Sequence, residues 1–188
     1  MSEPEQVQRD AISLHLIVLR CQAGDERAFA QLLAAFGERT LRYLQGIVGD
    51  DAEDVYQEVW LTVFRSVSGL SNPGAFRTWL FQTTRHRALD YLRRRKRERE
   101  LLEDVASEVE VVHESDDSMP LASIDEVSLD RALMAIPPPQ REVLLLRYRD
   151  DLSYTEIAVV VGCPLGTVRT RLHHAKRRLE ELLTRGDT

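Results

Sequence analysis

The stretch from Ser153 to Leu179, SYTEIAVVVGCPLGTVRTRLHHAKRRL, allows few folds, because its apolar residues recur at helical steps on either side of a glycine and a proline. Ser153 and Glu156 have the spacing of a capping box, in which a hydroxyl and a carboxylate each satisfy a backbone N–H left unpaired at a helix start. Ile157, Ala158 and Val161 then share one helical face. Gly162 permits a chain reversal, and Pro164 cannot extend the first helix because it has no N–H to give. In the second helix Val168, Leu172, Ala175 and Leu179 repeat at three- and four-residue steps, which leaves Arg169, Thr170, His173, His174 and Arg177 free. Two short helices about a tight turn, the second with a basic free face, form the helix-turn-helix pattern that places its second helix in the DNA major groove. A solvated basic helix in a three-helix core is the other reading of these residues.

The formal net charge of -6 opposes nucleic-acid binding only until the charges are located. Arg85 to Arg99 holds eight basic and two acidic residues, Glu100 to Asp130 eleven acidic and no basic, and Pro164 to Arg178 five basic and no acidic. A local patch sets the field at a phosphate backbone more than the whole-chain sum does. The acidic stretch ELLEDVASEVEVVHESDDSMPLASIDE has no large aromatic residue and contains a proline, the composition of a tether. A single bundle with a long loop is the alternative, but such a loop is unusual inside a compact domain. Helical period dominates on both sides and strand alternation is missing. The chain therefore reads as all-α: an N-terminal segment 1–18, a helical domain 19–97, a flexible acidic linker 98–127, and a second small helical domain 128–185 ending in the helix-turn-helix.

No apolar run approaches the roughly 20 residues that span a bilayer, and MSEPEQVQRD lacks the parts of a signal peptide, so a cytoplasmic protein without membrane insertion is expected. Cys21 and Cys163 lie far apart, which suits reduced thiols. Cys163, His173 and His174 lack the paired-ligand spacing of zinc motifs, and neither a metal nor a cofactor is expected. No Gly-rich phosphate loop, nucleophile elbow or HExxH pair occurs, so the chain does not read as an enzyme.

In the first domain, Gly24-Asp25-Glu26 announces a helix with Ala28, Phe29, Leu32, Leu33 and Phe36 on one face, and a second helix carries Leu41, Leu44 and Val48. A third is expected to start at a capping box of Asp50 and Glu53. Its Ala52, Val55, Tyr56, Val59, Trp60, Val63 and Phe64 form a core stripe, and Glu53, Asp54, Gln57, Glu58 and Leu61 an acidic reverse face with one protruding apolar residue. After Ser71-Asn72-Pro73-Gly74 comes AFRTWLFQTTRHRALDYLRRRKRER, where Phe76, Trp79, Phe81 and Tyr91 interleave with a growing basic run. Some of these aromatics must be core. Aromatic stacking on unpaired bases with Arg on phosphates is also how single-stranded nucleic acid is held.

In order, DAEDVYQEVWLTVF, FRTWLFQTTRHRALDYLRRRKR, the acidic linker and IPPPQREVLLLRYRDDLSYTEIAVVVGCPLGTVRTRLHHAKRRL resemble the extracytoplasmic-function group of bacterial sigma factors, from about Leu19 to Leu183. The resemblance implies a non-enzymatic initiation factor that binds core RNA polymerase, recognises two promoter elements and helps open the duplex. Glu53, Asp54, Gln57, Glu58 and Leu61 would dock on the clamp coiled coil of the largest polymerase subunit, and the second domain on the flap of the second-largest. Asn72, Phe76, Trp79, Arg85, His86 and Arg87 would read and melt the -10 element, with Arg93, Arg94 and Arg95 following the phosphates. Thr167, Arg169, Thr170, Arg171, His173, His174, Lys176 and Arg177 would read the -35 element, where Arg grips guanine in bidentate fashion. The acidic linker would either enter the polymerase channel or serve as an inert tether, and an anti-sigma protein is expected as a partner. His86 departs from the asparagine common in the family, and the His173-His174 pair also differs, so promoter sequence is not transferable. A stand-alone helix-turn-helix repressor or activator is the rival; it would need a dimer face and a sensor pocket, and it leaves the first domain unexplained.

Overall fold

The computed structural model describes residues 3–103, 129 and 131–186, and every element among them is helical. The elements are α1 (Glu3–Gln22), α2 (Glu26–Val48), α3 (Ala52–Ser66), α4 (Phe76–Glu103), α5 (Pro138–Tyr148), α6 (Tyr154–Val161) and α7 (Leu165–Gly186). Short 3-10 turns at Gly49–Asp51, Val67–Gly69 and Pro73–Ala75 join α2 to α3 and α3 to α4. The acidic linker lies outside the described residues apart from its first turns, where α4 continues to Glu103.

The N-terminal segment is helical from Glu3 onward. Val18 and Cys21 of α1 enter the first core beside the half-buried Leu14 and Ile17, at helical spacing. Gln22 Nε2 donates to the carbonyls of Val67 and Leu70 at 3.1 and 2.7 Å, tying α1 to the turn before α4. Asp25 caps α2 by accepting from the Arg27 and Ala28 amides, as its sequence context predicts.

Two expectations fail in the next elements. The helices expected around Phe36 and Leu41 are one continuous α2, which runs through Gly37. Gly37 is not a breaker but a point of close approach: a Cβ there would lie 2.8 Å from the hydroxyl of Tyr56 on α3. The capping box of Asp50 and Glu53 is also absent, because the 3-10 turn delays the helix and puts Asp51 at the N-cap without a side-chain bond. Asp51 instead pairs with Arg95 of α4. Along α3, Ala52, Val55, Val59, Trp60 and Val63 are buried, but Phe64 is 57% exposed, its ring edge-on to Phe29 at 5.1 Å.

In α4, Phe76, Leu80, Thr84 and Ala88 lie at four-residue steps and are wholly buried, with the Thr84 hydroxyl satisfied by the Leu80 carbonyl at 2.8 Å. From Leu92 to Leu101 every residue of the helix is exposed. The helix starts and stops of the second unit follow its local sequence signals. Pro138 and Pro139 occupy the first turn of α5, where a missing N–H costs nothing. Ser153 and Glu156 make the capping box of α6, and Gly162 ends it at φ +66, a left-handed conformation that a side chain would strain. Val168, Leu172 and Ala175 of α7 are buried against Ile157, Val160 and Leu146. Tyr43 of α2 and Phe81 of α4 belong to this second core as well, edge to face at 5.4 Å.

Gly37→Ala should destabilise the protein in chemical denaturation despite alanine's helix preference of about 1 kcal/mol, because the methyl meets the Tyr56 hydroxyl. In a Tyr56→Phe background the same change should become neutral or stabilising. Equal effects in the two backgrounds would show that the close approach carries no energy.

Candidate nucleic-acid interface

On α7, burial of Val168, Leu172 and Ala175 turns Arg169, Thr170, His173, His174, Lys176 and Arg177 outward, all of them exposed. Thr167 is half-buried at the helix start, and Thr170 returns its hydroxyl to the Gly166 carbonyl at 3.0 Å. The His173 and His174 rings stand 5.7 Å apart. Lys176 sits over the Tyr148 ring at 5.0 Å, and Arg177 pairs with Glu181 at 3.4 Å, so these two cations are partly held within the protein.

Arg171 departs from this face. It is half-buried, lies 3.9 Å from Cys163 Sγ and lines a cleft of about 420 Å³ with Tyr43, Arg85, Leu89, Pro138 and Leu145. At roughly 100° per residue, Arg171 falls about 200° round from Arg169, on the side of Val168 and Ala175. The structure thus turns Arg171 away from the exposed face that carries Arg169 and toward the cleft, as its helical angle predicts.

The expected -10 residues divide in three. Phe76 is removed outright: its ring is wholly buried against Phe36 and Trp79, with centroids at 5.6 and 6.0 Å, and offers no face to a base. Asn72, His86 and Arg87 are exposed and Trp79 is half-buried, although the Asn72 side chain also accepts from the Gly74 amide at 3.0 Å. Arg85 is held across the two units, donating through Nε to Glu142 at 2.8 Å. Farther along, Arg93, Arg94 and Arg95 are exposed but paired with Asp90, Glu58 and Asp51 respectively. Exposed pairs of this kind contribute about 0–1 kcal/mol and are readily exchanged for phosphate.

Glu53, Asp54, Gln57, Glu58 and Leu61 share the exposed side of α3, with Leu61 54% accessible. Phe64, three residues on, extends that apolar spot instead of entering the core that its spacing predicts; it lies one step past the buried stripe. An acidic face with two protruding apolar side chains suits a basic surface bearing an apolar pocket.

The seam between the units is polar above and apolar below. Tyr43 donates to the same Glu142 oxygen as Arg85 at 2.7 Å, Thr78 to Glu156 at 3.0 Å, Arg141 to the Gly46 carbonyl at 3.1 Å, and Arg77 to the Asp150 carbonyl. Burial, reinforced by the neighbouring Glu142 charge, pushes the Tyr43 hydroxyl well above the usual phenol range. Asp150 is 1% exposed, and neither of its carboxylate oxygens has a hydrogen-bond partner among the described residues. Burial raises its carboxyl to about 7, against the pull of Arg39, Arg149 and Arg77.

Residues 32–98 match the family Sigma-70 region 2 and residues 126–179 the family Sigma-70, region 4. The chain is 31% identical over 178 residues to the RNA polymerase sigma-H factor of Pseudomonas aeruginosa, covering 89% of this chain and 92% of that one. It is 30% identical to the ECF RNA polymerase sigma-E factor of Haemophilus influenzae over 87% of this chain and 92% of the relative. Among solved structures, the Bartonella quintana sigma factor RpoE, in complex with the anti-sigma factor NepR, superposes with a TM-score of 0.66 at 26% identity, over 83% of this chain and 96% of that one. Both conserved sigma regions are thus present in the order their helices take here, and the chain belongs to the extracytoplasmic-function group of sigma-70-type RNA polymerase sigma factors, the transcription initiation factors that direct polymerase to promoters.

Proposed function

We propose that α3 docks on the clamp coiled coil of core RNA polymerase, that α4 and the loop before it read and open the -10 element, and that α7 reads the -35 element. The observation that carries this reading is the outward face of α7. Arg169, Thr170, His173, His174 and Arg177 lie together over a wholly buried seam, with no acid between Pro164 and Arg178. A rigid helix that presents Arg and Thr outward, with Arg177 leaning on the exposed Glu181, can meet base edges and phosphates in one groove. Arg169 replaces Arg171 as the residue best placed for a guanine. In the -10 region Trp79, His86 and Arg87 remain accessible to an unstacked base and its phosphates, with Arg85 available once Glu142 releases it.

The acidic and apolar face of Glu53, Asp54, Gln57, Glu58, Leu61 and Phe64 supports docking on a basic polymerase surface, with the second unit reaching the flap. An anti-sigma protein is the expected negative partner, supported by the Bartonella relative solved with one. The protein works in the cytoplasm, where its polymerase and promoters are; no helix among the described residues is long and apolar enough to cross a membrane.

Purified protein added to bacterial core polymerase on a pool of genomic fragments should give discrete new transcript starts that share two upstream motifs. No new starts, with tight duplex binding in the absence of polymerase, would replace this reading with a stand-alone repressor. Arg169→Ala should weaken binding to a -35 duplex by about 1–3 kcal/mol while leaving core polymerase affinity unchanged. Glu58→Arg should do the reverse, lowering core polymerase affinity by about tenfold or more with the -35 affinity intact. Equal loss of both activities in either variant would show that docking and reading are not divided between α3 and α7.

A further inference from the structure

The cleft of about 420 Å³ where α2, α4, α5 and α7 meet is large enough to take a small organic ligand. Its lining is one-sided in charge: Arg85, Arg141 and Arg171 stand against a single acid, Glu142. That acid is already engaged, because one of its oxygens receives Arg85 Nε at 2.8 Å and the Tyr43 hydroxyl at 2.7 Å. The other two guanidiniums have no carboxylate partner among the described residues. Arg141 donates to the carbonyls of Gly46 and Met134 at 3.1 and 3.2 Å, and burial pulls its guanidinium below the usual arginine range. Arg171 is half-buried beside Cys163 Sγ, a weak acceptor 3.9 Å away. A guanidinium half out of water without a counter-charge is a costly arrangement, and an anion relieves it.

Much of the remaining lining is aliphatic. Ile47 of α2, Leu89 and Leu92 of α4 and Leu145 of α5 all border the cleft and keep part of their surface accessible. Leu89 and Leu92 follow Arg85 by four and seven residues on one face of α4, so charge gives way to apolar surface over about 10 Å. Tyr43 is the aromatic residue of the lining; it is 3% exposed and edge-on to Phe81, which leaves no flat face for a nucleobase. A bare inorganic anion would satisfy the arginines and leave the leucines in water. The combination suits a ligand with one anionic end and a slender aliphatic body.

We propose that this cleft is a binding site for a small amphipathic carboxylate of decanoate's size, its headgroup held by Arg141 and Arg171 and its tail lying along Leu89, Leu92 and Leu145. The planar guanidinium fork matches a carboxylate through two parallel N–H bonds, which fixes the headgroup. Removal of the tail from water supplies the rest of the affinity, with each buried methylene worth about fourfold. The site is separate from the outward face of α7 and from the acidic face of α3, so it requires nothing of the promoter reading.

Isothermal titration calorimetry of the full chain with decanoate, kept below its micelle-forming concentration, tests the site. Wild type should bind one decanoate saturably, with a negative heat-capacity change from burial of the tail. Octanoate should bind about tenfold more weakly, because it lacks two methylenes. Decanol keeps the tail without the charge and acetate the charge without the tail, and neither should saturate at the same concentrations. Arg171→Ala should weaken decanoate by about tenfold and Leu92→Gln by about fourfold. Arg65→Ala, which removes the same charge from α3 outside the cleft, should bind as wild type does. Circular dichroism confirms that each variant is folded; if Arg171→Ala is not, the comparison of decanoate with decanol on wild type decides. No saturable binding by wild type, equal binding of decanol, or undiminished binding by folded Arg171→Ala overturns the assignment. Tighter binding of an acetylated Leu-Leu-Glu tripeptide than of decanoate overturns it as well, in favour of a protein segment.

Discussion

Phe76 and Leu80 enter one core from α4 while Phe81 enters the other, so this helix is buried on two sides along its first turns. Full burial of a phenylalanine stabilises by about 1.5–3 kcal/mol, and Phe81 obtains it only while the second unit covers it. Tyr43 is in the same position from α2, and its hydroxyl requires a partner once it is out of water. The Glu142 carboxylate supplies that partner and attracts Arg85, so apolar burial and polar satisfaction arise from the same contact. The position of α7 relative to α4 follows from these few side chains.

Electrostatics act on a second scale. The chain is acidic overall, yet its basic residues are concentrated on α4 and α7. On α4 they lean on acids close at hand, Arg94 on Glu58 and Arg95 on Asp51, which join the end of the basic helix to the acidic face of α3. Such exposed pairs are weak in water and exchangeable. A partner that took the carboxylates of α3 would leave these arginines of α4 free for other anions.

The residues that misled the sequence reading did so for identifiable reasons. Phe76 sits among basic and aromatic neighbours, the composition of a base-stacking surface, but its four-residue register with Leu80, Thr84 and Ala88 gives it to the core. Arg171 belongs to a cationic run, yet its angle on the helix places it at the rear edge beside Cys163. Gly37 lies between two apolar runs of one continuous helix, and a glycine suits it because of the Tyr56 hydroxyl nineteen positions away in sequence, which no local pattern contains. Phe64 fits the apolar repeat of α3 and is exposed because that repeat outruns the width of the surface it covers.

Local periodicity, capping and turn chemistry determined by themselves that this chain is helical, where the helix-turn-helix lies, and that α7 presents a basic face. These depend on interactions within a few residues, which are the same wherever the chain is placed. Tertiary structure alone decided that Tyr43 and Phe81 complete the second core, that Glu142 holds Arg85, and that the buried Asp150 carboxylate has no hydrogen-bond partner among the described residues. Each joins residues far apart in sequence, and the energy of such a contact depends on distance, burial and competing partners that exist only once both units are packed.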